Sequence, residues 1–357
     1  MNLSNRSKES EIKSIFLIWY KSNKRDLPWR STKAYKLPKP YYIFVSEYML
    51  QQTTVGTVKK RFKEFILKWP TIDSLASISN TAILSFWSGL GYYSRAINLL
   101  KAAKIIKKNF KSKIPNNYND LLKLPGIGDY TAKAILGIAY NIPTVPLDAN
   151  IERILARIYA YDSPISMIKS DLKIKSNLFI SQKNSTELIQ AFMDYGSIIC
   201  IPRNPKCSSC LIKSKCLSYK KNLQNTIPIK IKSKSKKRKK YSRAYIFYNE
   251  KNEILVRKRP SKGMLPSMLE VPNDNWVVNK NKLVHDKIIN KIKNKIKNKM
   301  LSKGLVEYSF SHFDLETEVF YILVKKNIYK NQKWLKINNI DKVELPTIMK
   351  KIINIAI

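Results

Sequence analysis

The chain has 357 residues and a formal net charge of +42 at neutral pH, from 67 Lys and Arg against 25 Asp and Glu. That length suits two domains each able to bury a core, and that charge asks for an anionic partner. No apolar run reaches the ~18 residues of a membrane span, and the four cysteines are bunched between 200 and 216 rather than spread as a disulfide framework. Membrane-spanning and disulfide-stapled secreted classes are thereby set aside. The IFLIWY patch near the N-terminus lies in a charged amphipathic pattern, unlike a signal peptide, so a soluble cytoplasmic protein is expected. Crowding with Lys, Ile and Asn, as in INKIKNKIKNKM, is what the codons of an AT-rich genome would give. The sign of the charge is therefore informative and its size inflated.

Residues 8–23 carry Ile12, Ile15, Phe16 and Trp19 at helical spacing and lead into the loop KRDLPWR. Tyr41–Gln52, YYIFVSEYMLQQ, reads as a buried helix with one carboxylate, Glu47, among Phe44, Val45, Met49 and Leu50. Desolvation disfavours a charged carboxylate, so its pKa is expected to rise into the range useful to a general acid. Taken alone, a single Glu sits more often on an exposed helix face. Val55–Trp69, Ala82–Trp87 and Tyr92–Phe110 continue the helical pattern around the turn Gly89-Leu90-Gly91.

Leu121–Arg157 reads as short helix, tight loop, helix Asp129–Tyr140, a Pro-punctuated turn and a helix starting at Asp148. The loop Leu124-Pro125-Gly126-Ile127-Gly128 is expected to turn backbone N–H groups outward at the start of a helix, where they and the helix dipole favour a phosphate. Asp148 would cap the following helix, which stabilises its ionised form. Ser185–Ile199 is a further helix with Ser185 as its expected N-cap. No strand is evident before residue 240.

The cysteines Cys200, Cys207, Cys210 and Cys216 are spaced C-x6-C-x2-C-x5-C. Four thiolates this close can hold zinc or a [4Fe–4S] cluster, and spacing alone favours the more abundant zinc site. Residues 230–240, KIKSKSKKRKK, read as a basic linker. Beyond it, Tyr241–Tyr248 and Glu253–Arg259 read as a hairpin, and Val306–Phe313 and Glu316–Lys325 as a second pair of strands. Asp286–Met300 reads as a Lys/Ile/Asn-rich helix between them.

Placed in this order, RDLPWR (25–30), SEYMLQQT (46–53), GLGYYSRA (89–96), LPGIGDYTAKAIL (124–136), LDANIERILAR (147–157) and the four cysteines resemble the helix–hairpin–helix DNA glycosylase superfamily, and within it the MutY-type adenine DNA glycosylases. The resemblance implies an all-α helix–hairpin–helix domain over residues 1–225 with a [4Fe–4S] cluster loop at 200–216. A basic linker at 226–240 and a smaller α+β Nudix-like domain at 241–357 would follow. It replaces zinc by one [4Fe–4S] cluster on Cys200, Cys207, Cys210 and Cys216, with Lys206, Lys213 and Lys215 near DNA phosphates.

The endonuclease III-like branch of that superfamily has Gln where this chain has Glu47 and a nucleophilic Lys where it has Tyr130. A monofunctional glycosylase is therefore expected, acting on adenine opposite 8-oxoguanine or guanine in double-stranded DNA as a monomer. Glu47 would protonate the base, and Asp148, supported by Asn150, would stabilise an oxocarbenium-like sugar. The two carboxyls are expected to shift apart in pKa. Gly126, Ile127 and Gly128 would grip the backbone, while Gln51, Gln52 and Tyr92 would fill the stack vacated by base flipping. Arg25, Trp29, Arg30 and Gln190 would line the adenine pocket, and Phe310, Ser311 and His312 would inspect 8-oxoguanine. The segment HDKIINKIKNKIKNKM lacks the Glu residues that Nudix pyrophosphate cleavage needs. The competing readings are an endonuclease III-like lyase for oxidised pyrimidines and an inactive DNA-binding protein.

Overall fold

A computed structural model describes residues 7–30, 37–229, 237–260, 263–266, 268–286, 289, 300–325, 333–343 and 345–357. The chain divides into two units, one of Met1–Ser77 with Asn98–Lys232 and one of Ile78–Ile97 with Ser233–Ile357. The segment Ile78–Ile97 thus groups with the C-terminal residues, whereas the expected boundary left all of 1–225 together. All of 230–236 and most of the expected helix 286–300 lie outside the described residues.

The first unit is helical. Its elements are α1 (Lys8–Asn23), α2 (Pro40–Leu50), α3 (Val55–Lys68), α4 (Ile72–Ala76), then, past α5 (Asn80–Phe86) of the other unit, α6 (Ser94–Asn109). Next come α7 (Tyr118–Leu122), α8 (Asp129–Ala134), α9 (Ala149–Tyr159), α10 (Lys169–Asn177), α11 (Ser185–Ile198) and α12 (Leu217–Lys220). The apolar positions read from 8–23 close on α11: Phe16 meets Phe192 and Tyr195 at ring-centroid distances of 4.6 Å each. Ile151, Ile154 and Leu155 of α9 join the same core. Among the described residues no helix is long and apolar enough to cross a membrane.

Two local expectations fail for tertiary reasons. The helix expected over Asp129–Tyr140 is α-helical only to Ala134 and continues as a π-turn over Ile135–Ala139. There a Cβ on Gly137 would lie 2.2 Å from Ile189 Cδ1, so the backbone is pressed against α11. The Thr186 hydroxyl donates to the Gly137 and Ile138 carbonyls at 3.1 and 3.0 Å, answering acceptors that the wider turn leaves open. Ser185 is not the N-cap of α11, a place taken by Asn184. Its hydroxyl donates instead to Ile142 O at 2.9 Å, tying α11 to the loop before α9.

The second unit holds a mixed sheet of β1 (Arg238–Tyr248), β2 (Glu253–Lys258), β3 (Leu269–Glu270), β4 (Leu301–Ser309), β5 (Phe313–Leu323) and β6 (Lys333–Lys336), with α13 (Thr347–Ala356). The order is β3-β2-β1-β5-β4, with β6 also paired to β2. The two hairpins are antiparallel as expected, and β1 joins them by running parallel to β5 from Arg238↔Phe313 to Tyr248↔Leu323. Strand β1 begins at Arg238, inside the stretch read as linker. Ile348, Met349, Ile352 and Ile353 of α13 are buried in the core that the sheet shares. The triplet 310–312, expected within or beside a strand, is the turn between β4 and β5, closed by Phe310 N–H donating to Phe313 O at 2.9 Å.

Candidate active site

One cavity of about 390 Å³ in the helical unit is lined by Arg25, Trp29, Arg30, Glu47, Gln52, Tyr130, Asp148, Asn150 and Gln190. Residues more than a hundred positions apart in sequence meet there because α2, α8, α9 and α11 each turn one polar side chain inward. Glu47 is buried among the apolar residues of α2, as its neighbours predicted. Burial pushes its carboxyl up to about 7; a hydrogen bond from Tyr130 opposes the rise and the charge of Asp148 adds to it. Burial, with Glu47 and Asp148 beside it, also raises the Tyr130 phenol.

Asp148 caps α9, accepting from Ile151 N–H at 2.7 Å and from Asn150 Nδ2 at 2.8 Å. The expectation that this cap would hold its pKa down is corrected. Burial dominates and raises Asp148 too, although the Ile151 and Asn150 hydrogen bonds pull the other way. The two acids therefore shift in the same direction; their difference lies in their partners, amide donors for Asp148 and one phenol for Glu47. Asn150 is itself held by the buried Arg153, which donates to Asn150 Oδ1 at 2.8 Å, Gly196 O at 2.6 Å and Cys200 O at 2.7 Å. Arg153 ties the first cysteine of the loop to the side chain that orients Asp148. Sequence reading took LDANIER as a cap and missed Arg153, since two of its acceptors, Gly196 O and Cys200 O, lie on α11 and beyond.

Asp194 was missed as well. It is fully buried and accepts from Arg25 N and Nε at 3.0 and 2.5 Å and from Arg30 Nη1 and Nη2 at 2.6 and 2.7 Å. Burial works against its charge, but Arg30 and Arg25 prevail and hold its carboxyl below the usual range. A signal was present: Gln190 and Asp194 are four apart on α11, and so share a face. Gln190 donates to Thr186 O at 2.9 Å, while its Oε1 is buried without a partner. A buried acceptor left open costs roughly 1–3 kcal/mol, which a ligand donor would recover.

The other expected residues stand outside this cavity. Gly126 has φ +85°, which requires glycine, and a Cβ there would lie 2.9 Å from Tyr48 Cε1. The Tyr48 hydroxyl bonds Pro125 O, and Gln51 Nε2 donates to Gly126 O at 3.3 Å, so α2 pins the hairpin loop. Ile127 does not offer its amide outward: that N–H closes on Leu124 O at 3.1 Å. In the second unit the Tyr92 hydroxyl bonds the Ser311 hydroxyl, bringing together two of the expected site residues. His312 is exposed, and Phe310 packs on Tyr308, Phe313 and Trp276 at 4.8, 4.9 and 5.4 Å, bracing the turn.

Cys200, Cys207, Cys210 and Cys216, none in a disulfide, line one small cavity. Arg157 Nη1 and the Tyr195 hydroxyl donate to the sulfurs of Cys200 and Cys210 at 3.3 Å each. Among the described residues no three His, Cys, Asp or Glu side chains close tightly enough around a point for a single metal ion. Of the lysines beside these cysteines, Lys215 is paired with Glu11.

Residues 45–177 match the model of the HhH-GPD superfamily base excision DNA repair proteins, and residues 243–354 match that of the NUDIX domain. The adenine DNA glycosylase of Buchnera aphidicola subsp. Schizaphis graminum is 35% identical over 351 residues, covering 96% of this chain and 97% of that protein. The adenine DNA glycosylase of Buchnera aphidicola subsp. Baizongia pistaciae is 35% identical, with 94% of each chain covered. Among solved structures, a thermostable thymine-DNA glycosylase is similar over 60% of this chain and 97% of its own, at a TM-score of 0.54 and 27% identity. With identity at this level sustained across both units, the chain belongs to the adenine DNA glycosylase family.

Proposed function

We propose that this protein removes adenine mispaired with 8-oxoguanine or guanine from double-stranded DNA, as a monofunctional base-excision glycosylase. The observation that carries the reading is the convergence of Glu47, Asp148 and the open Gln190 Oε1 on one cavity. The Gln190 oxygen suits the exocyclic amine of adenine. Glu47, protonated up to about pH 7, gives its proton to a ring nitrogen of the flipped base. The N-glycosidic bond then breaks with its electron pair leaving on the now neutral adenine. The sugar is left as an oxocarbenium-like cation beside the Asp148 carboxylate. Water completes the reaction at the anomeric carbon, directly or through a covalent sugar–carboxylate intermediate, and its proton returns to Glu47. Tyr130 stands where a lyase would need an amine, so no Schiff base forms and the strand stays intact.

Gly126 and Gly128 hold the backbone in this reading. Gln51, Gln52 and Tyr92 fill the emptied stack, and Ser311 and His312 read the opposite base from the β4–β5 turn. The four-sulfur donor set fits a [4Fe–4S] cluster on Cys200, Cys207, Cys210 and Cys216. Such a cluster would fix the loop 200–216 and take no part in bond cleavage. Visible absorption with about four iron and four sulfide per chain is expected; stoichiometric zinc in protein prepared without oxygen would reject this assignment.

The function is tested by single-turnover incubation with an adenine:8-oxoguanine duplex followed by alkali. Scission at adenine only after alkali is expected; scission without alkali indicates a lyase, and none at all an inactive protein. In the same assay, replacing Ser311 and His312 together by Ala should lower the rate on 8-oxoguanine relative to guanine mispairs. An unchanged ratio would remove those two residues from lesion reading.

A further inference from the structure

Asp194 has no place in the reaction as described, yet it is the most heavily hydrogen-bonded carboxylate near the cavity. It receives four donors, two from Arg25 and two from Arg30, enough to fill the lone-pair sites a carboxylate offers. It sits behind the wall and does not line the cavity, whereas both arginines do. The Arg30 contact is end-on: Nη1 to Oδ2 and Nη2 to Oδ1, so the fork of two terminal guanidinium nitrogens is turned onto the buried acid.

That fork is the group that reads guanine. Two parallel N–H donors match the O6 and N7 acceptors of guanine, whereas adenine presents N7 beside an amine that would oppose a second donor. Gln190, one helical turn before Asp194, has the opposite preference: its open Oε1 suits an amine and repels the guanine carbonyl. We propose that Asp194 is a specificity-determining positioning residue that keeps the base pocket selective for adenine by occupying the Arg30 fork. Gln190 selects for adenine, and Asp194 withholds the donor pair that would select for guanine. The proposal rests on adenine excision being the reaction, and adds why guanine is refused. Asp194 also offsets one of two positive charges bordering a base that must itself gain a proton.

The test compares single-turnover release of adenine and of guanine, each placed opposite 8-oxoguanine in the same duplex so that neither starts in a Watson–Crick pair. Asp194→Asn keeps the side-chain volume but can no longer accept both fork donors. The adenine-to-guanine rate ratio is expected to fall about tenfold or more, the scale of one bidentate base contact, while Asp194→Glu, which keeps the charge, falls less. If Asp194→Asn melts well below the wild type, pairing it with Arg25→Gln restores the charge balance of the pocket and leaves the fork free. The ratio should fall there too. Rates for both bases dropping in parallel, with the ratio unchanged, would mean that Asp194 only supports the fold and would overturn the proposal. Wild-type protein that releases no adenine would refute the function itself, and this inference with it.

Discussion

Glu47→Gln is expected to abolish adenine release and, above neutral pH, to leave the folded protein more stable than the wild type. The activity loss follows from removal of the general acid, worth about 10²–10⁴-fold. The stability gain follows from its raised pKa. The folded protein holds the Glu47 proton up to about pH 7, whereas the unfolded chain releases it near the ordinary value of 4.5. Stability contributed by that proton is fully present below pH 4.5 and is lost as pH climbs through 7. A neutral amide at this position carries no such loss, so the variant's advantage opens across that window to on the order of 3 kcal/mol. Urea denaturation at pH 5 and pH 8 checks it; an advantage of the same size at both would show that the carboxyl is not desolvated. Wild-type release should itself decline as pH rises through about 7. Asp148→Asn keeps an N-cap side chain for α9, so duplex affinity should hold within a few-fold while release drops about 10²–10³-fold. Normal release by either variant would sink the mechanism.

The second large effect is expected at Arg153, which touches neither base nor sugar in the proposed reaction. Arg153→Leu strands the carbonyls of Gly196 and Cys200 in the interior. Each buried acceptor left open costs about 1–3 kcal/mol, so a loss of roughly 3–5 kcal/mol is expected. Asn150 also loses the donor that fixes its Oδ1, and with it the orientation in which its Nδ2 serves Asp148. Release at a temperature where the variant is folded should fall about 10- to 100-fold, with duplex affinity little changed. A variant destabilised by that amount yet fully active would mean that Asn150 keeps its place unaided.

Particular residues show why parts of the molecule are legible in sequence and parts are not. Helices α1, α3 and α11 carry their buried face as a local period and α2 is a continuous apolar run, so their bounds can be read to within about two residues. Glu47 is legible because its desolvating neighbours share its helix. The direction at Asp148 is not. Its cap is local and visible, while the burial that outweighs the cap is built by distant segments. Asp194 is bound by arginines 164 and 169 positions away, which no window could pair. The two-residue β3 and four-residue β6 are too short for a period, and the parallel joining of β1 to β5 is decided only when the hairpins meet. The π-turn at Ile135–Ala139 depends on a glycine here and a threonine on another helix.

That glycine bears on how far this sequence can drift. The chain has only nine glycines, where about 25 would be ordinary for its length. At Gly137 a methyl group would strike Ile189 at 2.2 Å, and at Gly196 it would strike Asn150 Cβ at 2.6 Å. The first clash falls on the residue just before Gln190, and the second on the side chain that donates to Asp148. The packing that holds α11 to its neighbours thus leaves room for no more than a hydrogen atom at these two positions, although neither glycine carries any chemistry of its own.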